Sequence, residues 1–554
     1  MLPTFIYFIL VDRFSNGDIA NDGIIDVADA QSFHGGDLQG VERHLDYLEN
    51  IGVDGIWLSP VFSMRTEKFH GHGAFHGYWI QNLENIEPRF GGEEALLSLS
   101  SSMQTRNIHL LLDMVYNHVS FDSPMVQEHP DWFHHNPSIT DWNDKTELTD
   151  YQVHGLPDID QNNPTAYNYI HDWSTYWLNK TNAFGFRIDA IRHMESSFMQ
   201  RLHEDMQQTR STWFLGEDFQ GNPNAMIERA TDTQIEALFD FPLYYAMTDS
   251  FCDGKSLEYV ASILSMDRYY PHNFSLVRFL DNHDVPRITS RCHNNKNMVL
   301  LAEFFLFSIP GIPMITYGTE SWLTGMIEPE NRGDMVWDTD PLQIELLTKM
   351  SALRRKYPVL QQGYTEIIEI SKDVLVWQNN DDSTTSLHIL NLRDTPYNAK
   401  KLLHTHCPKA IEAFSVHTIP NTKIDHHSSQ SRYIREISPF SAHSIICTTK
   451  AKTPSYTTLY TTITIEKYPD TPNAVTIPTQ KIRIVGNIPE LGGWKAEDGP
   501  ALHWTEDHWE TSISIPQNQV ISYKFVEEKD GIAVWETGDN RFLWSNTDKR
   551  IEIR

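Results

Sequence analysis

Phe184-Gly185-Phe186-Arg187-Ile188-Asp189 is the stretch on which the reading of the chain turns. Apolar side chains at 184, 186 and 188 share one face of a short strand, which predicts a buried element. The two-residue period then puts Arg187 and Asp189 together on the other face, near the strand's carboxyl end. An arginine buried beside a carboxylate keeps that carboxylate ionised at neutral pH. A lone pair of this kind is ordinary structural chemistry, but this one has company. Glu217 ends the next apolar run, Trp213-Phe214-Leu215-Gly216-Glu217, and Asp284 follows Phe279-Leu280-Asp281-Asn282-His283. Bringing three acids together at separate strand ends is costly, and chemistry is the reason to do it.

Working outward, strand-like runs recur near 5–11, 54–59, 108–113, 184–189, 213–217, 235–240, 276–281 and 312–317. Helical stripes fall between them, such as Val41/Leu45/Leu48 and Phe198/Leu202/Met206. Eight such units predict a (β/α)8 TIM barrel over residues 1–358, longer than the typical ~250 because of insertions. The largest insertion, about 117–170, is rich in His, Trp, Asp and Pro with weak periodicity, and predicts an irregular subdomain over the barrel mouth. After Pro358 short alternating runs replace helices, which predicts an antiparallel β-domain over 359–450. A polar stretch at 448–457 reads as a linker, and 457–554 as a second all-β unit, rich in tryptophan.

The 554 residues carry a net charge of −30, which argues against polyanionic partners and predicts no nucleic acid and no anionic membrane. No apolar run is long enough to span a bilayer. The chain enters a strand at Phe5, so it is expected to be cytoplasmic, or secreted after losing a leader. A monomer is expected. The four cysteines, at 252, 292, 407 and 447, are read as buried thiols, with a 407–447 bridge as the alternative.

Four segments, Asp113-Met-Val-Tyr-Asn117-His118, Gly185 to His193, Gly216-Glu217 and Phe279 to Asp284, resemble the ordered motifs of the α-amylase family, glycoside hydrolase family 13. Gly55 to Pro60, His76-Gly-Tyr78-Trp79, Leu156-Pro-Asp158 and Gly311 to Glu320 support the resemblance along the whole barrel. It implies an α-amylase, a retaining endo-hydrolase of α-1,4-glucosidic bonds in starch. Asp189 is then the nucleophile, Glu217 the general acid/base and Asp284 the transition-state stabiliser. It also implies sugar contacts from Tyr78, His118, Arg187, Arg192 and His283. Asn82, where the family carries an aspartate, and Arg192, where it carries a lysine, are departures. The alternatives are a cyclodextrin-forming transglycosylase, against which the absence of room for an extra β-domain is counted, and a non-catalytic glucan-binding protein.

The resemblance further implies structural Ca2+. One site would join Asn117, Asp158 and the carbonyl of His193, with a further acid from among Asp144, Glu147 and Asp150. A second resembles a calcium loop of bacterial relatives and would use Asn16, Asp18, Asn21, Asp22, Gly35 and Asp37, oxygen donors on tight turns as a hard cation requires. Zinc at His70, His72 and His76 is not expected. Val485 to Trp494, Tyr523-Lys524-Phe525 and Val534 to Arg541 resemble the family-20 starch-binding module, a β-sandwich. Trp494 and Trp535 would stack on glucose rings, with Lys524 and Asn540 as polar partners. Trp509 fits the core, and Trp504 is a candidate for a second sugar site.

Overall fold

The computed structural model describes residues 1–381, 384–407, 410–418, 422–428, 436–447, 460–468, 481–505, 507–529 and 531–553. The linker expected at 448–457 lies outside these residues. Eight parallel strands, β1 (Ile6–Ile9), β2 (Gly55–Leu58), β3 (His109–Met114), β4 (Gly185–Ile188), β5 (Trp213–Gly216), β6 (Ala237–Phe239), β7 (Ser275–Phe279) and β8 (Ile312–Thr316), close into a barrel. Closure is made by β1, which pairs with both β2 and β8. Helices cover the outside, so both faces of each strand are buried and the runs read as apolar. Gly185 is required by packing: a Cβ there would sit 1.9 Å from the carbonyl oxygen of Trp213 on β5. Any side chain would push β4 off its neighbour and move Arg187 with it.

Beyond the barrel, a six-stranded antiparallel sheet includes Val374–Asn380 and Thr385–Asn391, the alternating runs seen in the sequence. In the C-terminal region the strand Ala501–Trp504 divides its pairing between Lys481–Gly486 and Trp509–Pro516. The sheet therefore folds over on itself around Ile463, Ile484, Trp509 and Phe525. Trp509 is core, as its alternation predicts, and Trp504 packs edge-on against it at 5.3 Å.

The cysteines correct the expectation of free thiols. Cys252 pairs with Cys292 and Cys407 with Cys447, so all four are disulfide-bonded. Each pair is 40 residues apart in sequence, and only tertiary contact brings the partners within reach. No helix among the described residues is long and apolar enough to cross a membrane.

Candidate functional site

The site is built on the carboxyl ends of β3, β4, β5 and β7. Arg187, wholly buried on β4, is its electrostatic centre. Its Nη1 donates to Asp113 Oδ1 at 2.9 Å and to Asp189 Oδ1 at 2.7 Å, while Nη2 lies 2.7 Å from Glu217 Oε1. The sequence paired Arg187 with Asp189; the structure shares the one guanidinium among three carboxyl groups. Asp113 is further held by Trp57 Nε1 at 2.9 Å and by the Tyr78 hydroxyl at 2.8 Å.

One cation cannot neutralise so many acids, and the excess appears as protonation. Burial raises Glu217 to about 8, helped by the charges of Asp189 and Asp284 and opposed by Arg187. Burial likewise raises Asp113 to about 7 against the pull of Arg187. Asp284 behaves oppositely. Burial pushes it up, but the neighbouring positive charges outweigh that and hold it below the usual carboxylate value: His283 contributes only at acid pH, where its ring is charged, and Arg332 and Arg187 at neutral pH. The geometry agrees: Arg332 Nη2 donates to Asp284 Oδ1 at 3.1 Å, and His283 Nε2 lies 3.1 Å from Oδ2. The site therefore holds acids in different states, the condition for acid and base roles side by side.

Asp189 and Glu217 are 7% and 8% exposed, and the side chain of Asp284 about a third exposed at 32%. Directly after Asp189, Ala190 takes a left-handed conformation at φ 50, and its amide donates to Glu217 Oε2 at 3.2 Å. A non-glycine residue there is strained, and the turn it makes joins the two acids. The Tyr78 ring lies parallel to His283, at 5.0 Å and 3°. His118 and His283 are both lowered by burial, His283 to about 3, so both rings are neutral at physiological pH. His118 Nε2 lies 3.2 Å from the Tyr78 carbonyl. Arg192 stands further out, donating to the carbonyls of Phe219 and Trp142 at 3.4 Å. Arg332 was not singled out from the sequence: it closes a three-residue 3-10 turn, Glu330–Arg332, too short to carry a periodic signal.

Of the expected cation positions, Asn117 and Asp158 are brought together in the core, each with a buried Oδ1 that has no hydrogen-bond partner. Asp158 Oδ2 is 2.7 Å from His134 Nδ1, a neighbour the sequence reading did not include. Nearby, His193 Nδ1 lies 3.0 Å from the Leu148 carbonyl. Asp144 caps a helix, and Glu147 accepts from the amides of Thr140 and Asp141. Asp150 is an electrostatic neighbour of Asp158. In the second loop, the Oδ1 atoms of Asn16 and Asn21 are buried without partners, and Asp22 accepts from Asn16 Nδ2 at 2.8 Å. Asp37 spends its oxygens on the amides of Gly17, Asp18 and Gly40. Gly35 sits at φ 91, where a Cβ would come within 2.7 Å of the Asn16 amide.

Trp494 and Trp535, both reachable by solvent, lie 6.2 Å apart at 43°. Lys524 Nζ donates to the Gly538 carbonyl at 2.6 Å, and Asn540 lines the same cavity as the two indoles. All four predicted residues of the module thus meet at one place.

Comparison with known proteins places these features in a family. The model "Alpha amylase, catalytic domain" matches residues 8–355, and "Starch binding domain" matches 470–551. A beta/alpha-amylase of Paenibacillus polymyxa is 32% identical over 379 residues, covering 65% of this chain but 31% of that protein. A cyclomaltodextrin glucanotransferase of Klebsiella oxytoca is 26% identical, covering 98% of this chain and 92% of its own. Among solved structures, CldA, a cyclomaltodextrin glucanotransferase with a three-domain ABC distribution, superposes with a TM-score of 0.69 at 26% identity, covering 80% of this chain and 99% of its own. With a catalytic-domain match over most of its length and the barrel intact, the chain belongs to the α-amylase family, glycoside hydrolase family 13, and carries a starch-binding domain at its C-terminal end.

Proposed function

We infer that the protein is an α-amylase that cleaves internal α-1,4-glucosidic bonds of starch with retention of configuration. The observation that carries the reading is the pairing of a buried Glu217, raised to about 8, with Asp189 on the same guanidinium. Glu217 then enters the reaction as an acid and protonates the departing glycosidic oxygen. Asp189, held by Arg187, attacks the anomeric carbon to form a glycosyl ester. Glu217, now a base, takes a proton from water as the water oxygen attacks the anomeric carbon, which breaks the ester bond to Asp189 and releases the sugar. Asp189 Oδ1 and Glu217 Oε1, each 2.7 Å from a different nitrogen of one guanidinium, support the short carboxyl separation of about 5–5.5 Å that retention needs. Asp284, kept anionic, faces the positive charge that develops on the ring. Tyr78 offers the sugar a flat face, and the neutral His118 and His283 are suited to its hydroxyls.

The pH dependence follows. Protonated Glu217 is required, so kcat/KM on soluble starch is expected to fall as pH rises through about 8, roughly tenfold per unit beyond it. A profile flat to pH 10 would remove Glu217 from the acid role.

The second reading is transglycosylation, favoured by the end-to-end match to a glucanotransferase. A three-domain glucanotransferase of the same fold removes the argument from a missing domain. Chromatography of the first products from soluble starch decides: linear maltooligosaccharides of α configuration are expected, and cyclic glucans would establish the second reading.

We place the catalytic domain at 1–358, the β-domain at 359–450 and the starch binder at 457–554. The orphaned oxygens of Asn117 and Asp158 fit a hard cation. Together with the His193 carbonyl and Asp150 they would hold Ca2+, pinning the insertion to the barrel. Asn16, Asp18, Asn21, Asp22 and Gly35 would hold a second, while Asp37 shapes that loop through its amide bonds. Bound Ca2+ would supply structural charge compensation. Removing it with a chelator is expected to lower Tm, by about 2.7 kcal/mol of stability at a hundredfold excess over Kd. An unchanged melting curve would exclude both sites.

A further inference from the structure

The cavity under the paired indoles does not belong to the starch-binding domain alone. It measures about 450 Å3. One wall carries Trp494, Trp535, Lys524 and Asn540; the other is barrel, with Asn222 from the loop after β5 and Tyr259 from the helix Leu257–Leu264. A second cavity of about 580 Å3 shares Tyr259 and Asn540 with the first, so the groove runs on past Tyr259 between the domains.

The seam that holds this groove is a packed one. Asn224 Nδ2 donates to the Asn487 carbonyl at 2.9 Å, and Asn487 Nδ2 donates to the Ser262 carbonyl at 3.2 Å. Val520 of the starch-binding domain is buried in the barrel's core, and Met266 of the barrel region in the core of that domain. The two walls therefore keep a set spacing. Trp494 adds a second sign of a built site: it is a bulky residue at φ 69, a conformation held only where surrounding structure imposes it. Its neighbour Gly493 abuts Asn224 of the barrel, 3.2 Å from where a Cβ would lie.

We propose that the starch-binding site is a two-domain site, in which a single α-glucan chain is held between the indole pair and the barrel residues Tyr259 and Asn222. Resting on the reading of Trp494 and Trp535 as sugar-stacking surfaces, this assigns barrel side chains to glucan binding outside the catalytic cleft. The chemistry suits the occupant. A glucose ring has two apolar faces and a polar rim. The indoles take one face and the Tyr259 ring the other, with the amides of Asn222 and Asn540 at the rim. The loop that begins at Glu217 ends at Asn222. A chain in the groove is thereby one loop away from the acid.

The test titrates maltoheptaose into full-length Glu217→Gln protein by isothermal calorimetry, so that binding proceeds without turnover. Two classes of site are expected, and Trp535→Ala removes one. Tyr259→Ala is expected to weaken that same class about tenfold and leave the other unchanged. Asn222→Ser, which keeps a helix-capping oxygen, is expected to weaken it about threefold. If Tyr259→Ala fails to fold, Tyr259→Leu, which keeps bulk but not the aromatic face, is expected to show the same loss. Variants at 259 and 222 that titrate like the parent, while Trp535→Ala loses its class, would return the site to the starch-binding domain alone. A Trp535→Ala protein that loses nothing would overturn the stacking role itself.

Discussion

Asp189→Asn is expected to lower the rate of reducing-end release from soluble starch by about 10^4-fold or more, at least about 5.4 kcal/mol of lost transition-state stabilisation. The substitution keeps shape and removes the anion. Arg187 keeps its hydrogen bonds to Asp113, so the fold is expected to persist and Tm to move little. Activity alone does not separate a nucleophile from an acid, because Glu217→Gln should be nearly as damaging on starch. An α-maltosyl fluoride substrate separates them. Fluoride departs without a proton, so Glu217→Gln should still form a covalent glycosyl ester, which then persists because no base activates water. Asp189→Asn should form none. Intact-protein mass spectrometry reads the difference. An adduct on the Asp189→Asn protein would show that another group attacks.

Arg187→Met is expected to destabilise the fold by about 3–5 kcal/mol and to abolish activity, because it removes one buried charge and strands several others. Asp113, Asp189 and Glu217 all lean on this guanidinium and are all buried. The pH dependence identifies the cause. Burial already raises Asp113 and Glu217 against the pull of Arg187, and without that cation they rise further above their unfolded values, so the folded state binds more protons. Stability from that source is present below the unfolded pKa, near 4, and is lost as pH rises. The deficit against wild type should therefore be largest at pH 7–8 and shrink toward pH 5. Urea unfolding at pH 5 and pH 8 measures it. A deficit of the same size at both would point to lost packing in place of unpaired charge.

The two predictions differ because the same cluster serves two ends. Arg187 stabilises the fold by neutralising acids to which the proposed reaction assigns its roles. The acids exceed what it can neutralise, and the surplus is carried as the proton on Glu217. Arg332, reaching Asp284 from the loop after β8, completes the arrangement by keeping that third acid charged.

The barrel was legible because every strand is covered on both faces, which leaves short apolar runs separated by helical stripes. Asp189, Glu217 and Asp284 were legible because strand ends in such a barrel all open on one side, so local position implies shared location. Trp509 and the Trp494/Trp535 pair were likewise separable by their alternation or turn context. These are properties of local periodicity. What the tertiary structure decided is of another kind. The pairing of cysteines 40 residues apart, the sharing of Arg187 with Asp113 and Glu217, the reach of Arg332 to Asp284, and the barrel wall opposite the indoles all join residues that are remote in the chain. A pattern of period two or 3.6 reports which way a side chain faces; it carries no record of what another element brings to meet it, and charge and contact are set there.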